Sequence, residues 1–153
     1  MATSTLLQLL DSTYGDGTTK IGLTASNRRQ VETFIASGPI AANDLVCLDF
    51  AQAGDGDKGL YIKKADGGSG ATVAAIGFAI SPAAAGDSCQ VTVAGIHEKA
   101  NVDGATAQGN RLIVGATAGR AAIYTAADTV PIIAYACEAD TANVATVFVI
   151  KQF

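Results

Sequence analysis

From Lys20 onward, apolar and polar residues alternate in short runs broken by Gly, Asn, Asp and Ala. "RQVETFIAS" places Val31, Thr33 and Ile35 on one side, and "LVCLDF", "LYIKKA", "TVAAIGFAI" and "CQVTVAGI" follow with the same two-residue period. After a looser segment, "HEKANVDGATAQGN", come "RLIVGA", "AAIYTA", "VPIIAYACE" and "VATVFVIK". Period-two runs bounded by turn formers predict half-buried strands. In "GPIAAND" Pro39 fixes φ, and Asn43-Asp44 tolerate left-handed geometry. Nine or ten short strands at close spacing predict an all-β fold, a compact β-barrel or sandwich.

The pattern repeats. Ile76, Phe78 and Ile80 share a face, and after a turn Cys89, Val91 and Val93 share one. In the second copy Ile133, Tyr135 and Cys137 correspond, then Val147 and Val149. Ile76 matches Ile133, Ala79 matches Ala136 and Ala85 matches Ala142, and the second turn is one residue shorter. Upstream, "NDLVCLD" parallels "GNRLIVG", each followed by a Gly-containing loop and a Tyr-bearing strand. Two similar halves are expected, each of the form strand, loop, strand, hairpin.

Two segments depart from simple alternation. "MATSTLLQLLDS" carries Leu6, Leu7, Leu9 and Leu10 on what Ser4 or Thr5 could cap as a short helical turn, ended by Gly15-Asp16-Gly17. Such a helix is marginal alone, so its leucines either fold back on their own domain or reach a neighbour. Residues 1–27 thus read as an N-terminal arm and 28–153 as the β domain. In "CQVTVAG" the second face carries Gln90 and Thr92 and can meet water. In "VATVFVIK" Val147 and Val149 line one face while Phe148 and Ile150 line the other. A strand apolar on both sides must be covered on both sides, by another subunit or by the arm.

Composition narrows the partners. The chain of 153 residues is 49% hydrophobic but only 16% charged, with a net charge of −4. Much of the apolar share is alanine, which buries little area, so a weakly charged surface covered by copies of itself or by a partner is expected. The ten Lys and Arg are scattered and lack stacking aromatics, which argues against nucleic acid. No apolar run approaches the roughly 18 residues of a spanning helix, so no membrane partner is expected. Cys47, Cys89 and Cys137 are far apart, lack CxxC spacing and read as small apolar fillers.

Candidate chemistry is sparse. His97 follows a strand with no nucleophile near it in sequence and reads as a solvated loop residue. Ser88, in "GDS", lies at a hairpin turn rather than a strand-to-helix elbow. "GDGDKG" sets Asp55, Asp57 and Asp66 at calcium-loop spacing, but Leu60 stands where glycine is needed and no Glu closes the loop. "GGSGAT" lacks the Lys-Ser/Thr of a phosphate loop. No catalytic residue, metal or cofactor is expected.

"VAAIGFAISPAAAGDSCQVTVAG" resembles the signature hairpin of tailed-bacteriophage head decoration (capsid cement) proteins. "VETFIASGPIAANDLVCLD" looks like their opening hairpin, with Asn43 where they usually carry glycine. The likeness covers about residues 28–151. It implies a β-tulip-like barrel, made in the host cytoplasm and assembled as homotrimers on the outer capsid of a virion. There it would clamp adjacent subunits of the major capsid protein against internal DNA pressure. On this reading Leu6, Leu7, Leu9 and Leu10 are capsid contacts, and Val147, Phe148, Val149 and Ile150 pack a subunit interface or the core. The alternatives are a small-ligand-binding β-barrel, a hydrolase using His97, and another virion component such as a tail or fibre base.

Overall fold

The computed structural model describes residues 29–67 and 74–152. The leucine-bearing arm and most of "DGGSG" lie outside them. Nine strands form, and there is no helix among the described residues: β1 (Arg29–Ala36), β2 (Leu45–Leu48), β3 (Tyr61–Lys64), β4 (Ala75–Ala79), β5 (Ser88–Asp103), β6 (Arg111–Val114), β7 (Ala121–Ile123), β8 (Ala134–Ala136) and β9 (Val144–Val149). They make one mixed sheet in the order β1-β3-β2-β4-β5-β7-β6-β8-β9, and β5 also pairs with β1 and β9. Those two extra pairings close the sheet into two hydrogen-bonded rings. β1, β3, β2, β4 and the first part of β5 form one; the rest of β5, with β7, β6, β8 and β9, forms the other. The hand-over falls at Gly95, which pairs with Arg29 in the first ring and with Val149 in the second.

The rings are structural repeats with matching registers. Leu45↔Phe78 and Val46↔Gly77 in the first correspond to Arg111↔Tyr135 and Leu112↔Ala134 in the second. Phe78↔Thr92 and Ala79↔Val91 correspond to Tyr135↔Phe148 and Ala136↔Val147. The parallel pair Ala36↔Ile62 has its counterpart in Val102↔Ala121. Turns repeat as well. Asn43 and Gly109 both hold positive φ, at 68° and 82°, a region that Asn and Gly enter most readily. Their amides donate to Ala79 O and Ala136 O respectively, each at 2.8 Å. The residues after them close the same turn, Ala41 N donating to Asp44 Oδ2 at 2.8 Å and Ala107 N to Asn110 Oδ1 at 2.7 Å.

Alternation sets which residues fill each ring. Val46, Ile62, Ile76, Ala79, Cys89, Val91 and Val93 pack inside the first with Phe34 and Ala36. Leu112, Ala134, Ala136, Ala145, Val147 and Val149 fill the second. That second core also contains Leu45, Cys47, Ala75 and Phe78, which belong to the first repeat but point out of its ring. Ring two therefore rests on the outer face of ring one. A bulge makes this possible: the register shifts between Val46 and Cys47, so Ile76 turns into ring one while its neighbour Ala75 turns out. Gly77 lies against β5 so closely that a Cβ there would collide with the Thr92 carbonyl.

Three expectations change. Thr92 is not on a wet face: it is fully buried under the second ring. The buried side of β1 carries Phe34 and Ala36, while Val31 and Thr33 are exposed. "HEKANVD" is not loose, because β5 continues through it to Asp103. Cys89, Val91, Val93, Gly95 and His97 are buried at every second place; a bulge between His97 and Ala100 then shifts the phase to Ala100 and Val102. That one-residue slip hides the strand from periodicity.

Phe78 and Tyr135 occupy equivalent positions with opposite burial, so truncation separates them. Phe78→Ala is expected to lower unfolding free energy by about 3–5 kcal/mol, and Tyr135→Ala by less than about 1 kcal/mol, both read from urea midpoints. Thr106 stands where the first repeat has buried Ile40, and its Oγ1 is buried without a partner. Thr106→Val is expected to raise stability by about 1 kcal/mol in the same assay, because an orphaned hydroxyl is removed.

Candidate interaction surface

Polar side chains fix the alignment of the two rings around their apolar contact. His97 is buried in β5, not solvated in a loop. Its ring stacks on Phe78 with centroids 5.4 Å apart. Nε2 lies 3.2 Å from Asn43 Oδ1, which can only accept, so Nε2 carries the proton. Nδ1, 3.1 Å from Thr92 Oγ1, accepts from that hydroxyl. Burial, and secondarily the Arg29 charge, pull the His97 pKa from its usual 6.5 down to about 4. At neutral pH the imidazole is an uncharged clamp with both nitrogens engaged. Nearby, Asn101 Nδ2 donates to Asp44 Oδ1 at 3.0 Å, and Lys64 Nζ lies 3.0 Å from Asp44 Oδ2. Backbone bonds complete the seam: Leu45 N to Gly119 O at 2.7 Å and Gly119 N to Ala65 O at 2.8 Å.

The remaining candidate groups serve structure locally. Burial raises the Asp49 carboxyl, but donors from Gln52, Lys63, Ser37 and the Ala51 amide outweigh it and hold it at about 2. Burial pushes the Cys47 thiol up to about 11 against the pull of Lys63, and burial raises Cys89 and Cys137 as well. Asp55 pairs with Lys58 across its turn, and Ser88 is exposed at the start of β5. Among the described residues no group of three or more His, Cys, Asp or Glu could hold a metal ion. Beside His97 a depression of about 130 Å³ is lined by Arg29, Asn43, Ile80, Glu98 and Lys99. Small-ligand sites usually enclose roughly 300–1,000 Å³.

The remaining candidate is a row on the outside of ring two. Within β9, Val147 and Val149 are buried in the second core, Phe148 is exposed and Ile150, just past the strand, is half-buried. Phe148 pairs across the sheet with Tyr135 on one side and Ile96 on the other, and Tyr135 pairs with Arg111. This row is the outer face of ring two. Sequence reasoning found Phe148 but not Tyr135 or Arg111. The signal was the repeat itself, since Arg111 and Tyr135 stand where buried Leu45 and Phe78 stand in the first copy. Leu6, Leu7, Leu9 and Leu10 lie outside the described residues.

No family model matches the chain, and no curated protein matches it in sequence. One solved structure that it resembles is the N base of the head fiber gp8.5 of bacteriophage phi29. The two share 18% identity and a TM-score of 0.54, over 79% of this chain and 93% of that one. At that identity the likeness establishes a common fold.

The clamp gives a pH signature. His97 takes its proton more readily unfolded than folded, so stability is complete above pH 6.5 and falls as pH drops toward about 4. The loss is expected to be roughly 3 kcal/mol, at about 1.4 kcal/mol per unit. Asp49 adds a second loss between pH 3.8 and about 2. His97→Gln should flatten the upper window and leave the lower one, as followed by urea denaturation across pH.

Proposed function

We propose that this chain is a non-enzymatic structural protein of a phage virion that binds the outer surface of the head and clamps adjacent major capsid protein subunits. The observation that carries this reading is the fold shared with the phi29 head fiber base, which extends over both repeats. The hairpins that resemble capsid cement proteins agree with it. They are the β4–β5 and β1–β2 segments, the framework of ring one. A sheet with an open apolar face suits a protein that works by burying modest contacts, and repetition over a lattice turns weak sites into firm attachment. Homotrimers on the head are part of this proposal, as are arm contacts through Leu6, Leu7, Leu9 and Leu10.

A second reading, a fibre base mounted on the head, is favoured by the same neighbour, whose own name is that of a base. The two differ in consequence. A clamp raises the temperature at which heads release DNA; a base binds without moving it.

The test mixes purified protein with heads of its phage prepared without it, followed by electron microscopy and heat-release assays. Regular added density with delayed DNA release is expected. Deleting residues 1–19 is expected to leave a folded protein that no longer decorates. Absence of added density with the full chain would overturn the virion reading, and normal decoration by the truncated form would overturn the role of the arm.

A further inference from the structure

The two repeats show how one unit is covered and what the next lacks. On ring one, the outer row Leu45, Phe78 and Thr92 is 0% exposed because ring two sits on it. The equivalent row on ring two is Arg111, Tyr135 and Phe148; Tyr135 is 40% and Phe148 46% exposed. Stacked repeats normally end in a polar outer face. Here the end of the stack carries two aromatics, with half-buried Ile96 paired beside Phe148.

The covering surface has an uncovered counterpart too. His97, which presses on Phe78, pairs with Val147; in ring one the residue paired with the matching Val91 is Glu32. The β6–β7 turn, whose Gly119 bonds Leu45 and Ala65, corresponds to the β2–β3 loop. That loop exposes Phe50 (55%) and Leu60 (41%). By the same correspondence Glu32, which accepts from Gln30 Nε2, would face Tyr135, and Arg111, paired beside Tyr135 in the sheet, carries the opposite charge.

We infer that the Arg111–Tyr135–Phe148 face of ring two binds ring one of a second copy of this chain, through Glu32 and the loop bearing Phe50 and Leu60. The contact repeats between chains the packing that joins the repeats within one. It is head-to-tail, so each copy carries one face of each kind, and association closes into a ring or continues as a stack. The inference supplies a contact for the self-association in the virion reading, but it is tested on the purified protein without heads, so either can fail alone.

The test is sedimentation of the full chain without heads. Wild type is expected to run as an oligomer at micromolar concentration. Tyr135→Lys with Phe148→Lys disables one face, and Phe50→Ser with Leu60→Ser disables the other. Each double variant alone is expected to be monomeric, with a thermal transition near that of wild type, because all four sites are exposed. Mixed in equal amounts they are expected to form a dimer, since one intact face of each kind remains. A two-fold interface would give no such complementation. A charge swap provides a second arm: Arg111→Glu or Glu32→Arg alone is expected to weaken association by at least about tenfold, and the two together to restore it. Monomeric wild type, as when the arm or a capsid covers this face instead, would overturn the inference. So would variants that associate as wild type does, or a mixture that stays monomeric.

Discussion

Everything in this structure depends on the outer face of ring one being covered by ring two. A ring of five strands encloses a small core, ten buried residues of which the largest is Phe34, and a closed sheet has more surface outside than inside. Leu45 and Phe78 resolve the problem for ring one by entering the second core, and Thr92 is buried beside them against His97. The seam is then fixed by directional contacts. His97 lies on the Phe78 ring, Asn101 and Lys64 satisfy Asp44, and Gly119 approaches so closely that a Cβ would meet the Asp44 carboxylate at 2.9 Å. Buried polar groups of this kind are costly unless every member is paired, so they define one alignment of the rings rather than many.

Much of the fold was legible because both repeats obey the period of two. Ala79 with Ala136, and Val91 with Val147, fall at equivalent register positions, as alignment of the hairpins suggests, and the shorter second turn shifts neither. Asn43 could be recognised as a turn residue from chemistry alone. What stayed hidden was set by bulges. The slip between His97 and Ala100 reverses the phase of β5, so its second half looks like a polar loop. The polar character of Thr92 suggested water, whereas the hydroxyl is spent on His97.

The candidate surface was half legible for a related reason. Phe148 and Val149 are both apolar, and nothing within "VATVFVIK" says which meets the core. Pairing decides it: Val149 lies opposite Ala134 inside ring two, and Phe148 opposite Tyr135 outside. The comparison of repeats adds what a single strand cannot, because Arg111 in place of Leu45 marks a face that tolerates water at its edge.

β5 has a mechanical consequence. It is the last strand of one ring and the first of the other, handed over at Gly95 without leaving the sheet. The rings therefore have no tether to stretch and no hinge to swing about. A pull applied to one travels along continuous backbone into the other, and the flanking β1 and β9 bear it in shear, many bonds at once rather than one after another. Under the clamp reading proposed above, stiffness of that sort would matter more than any single contact.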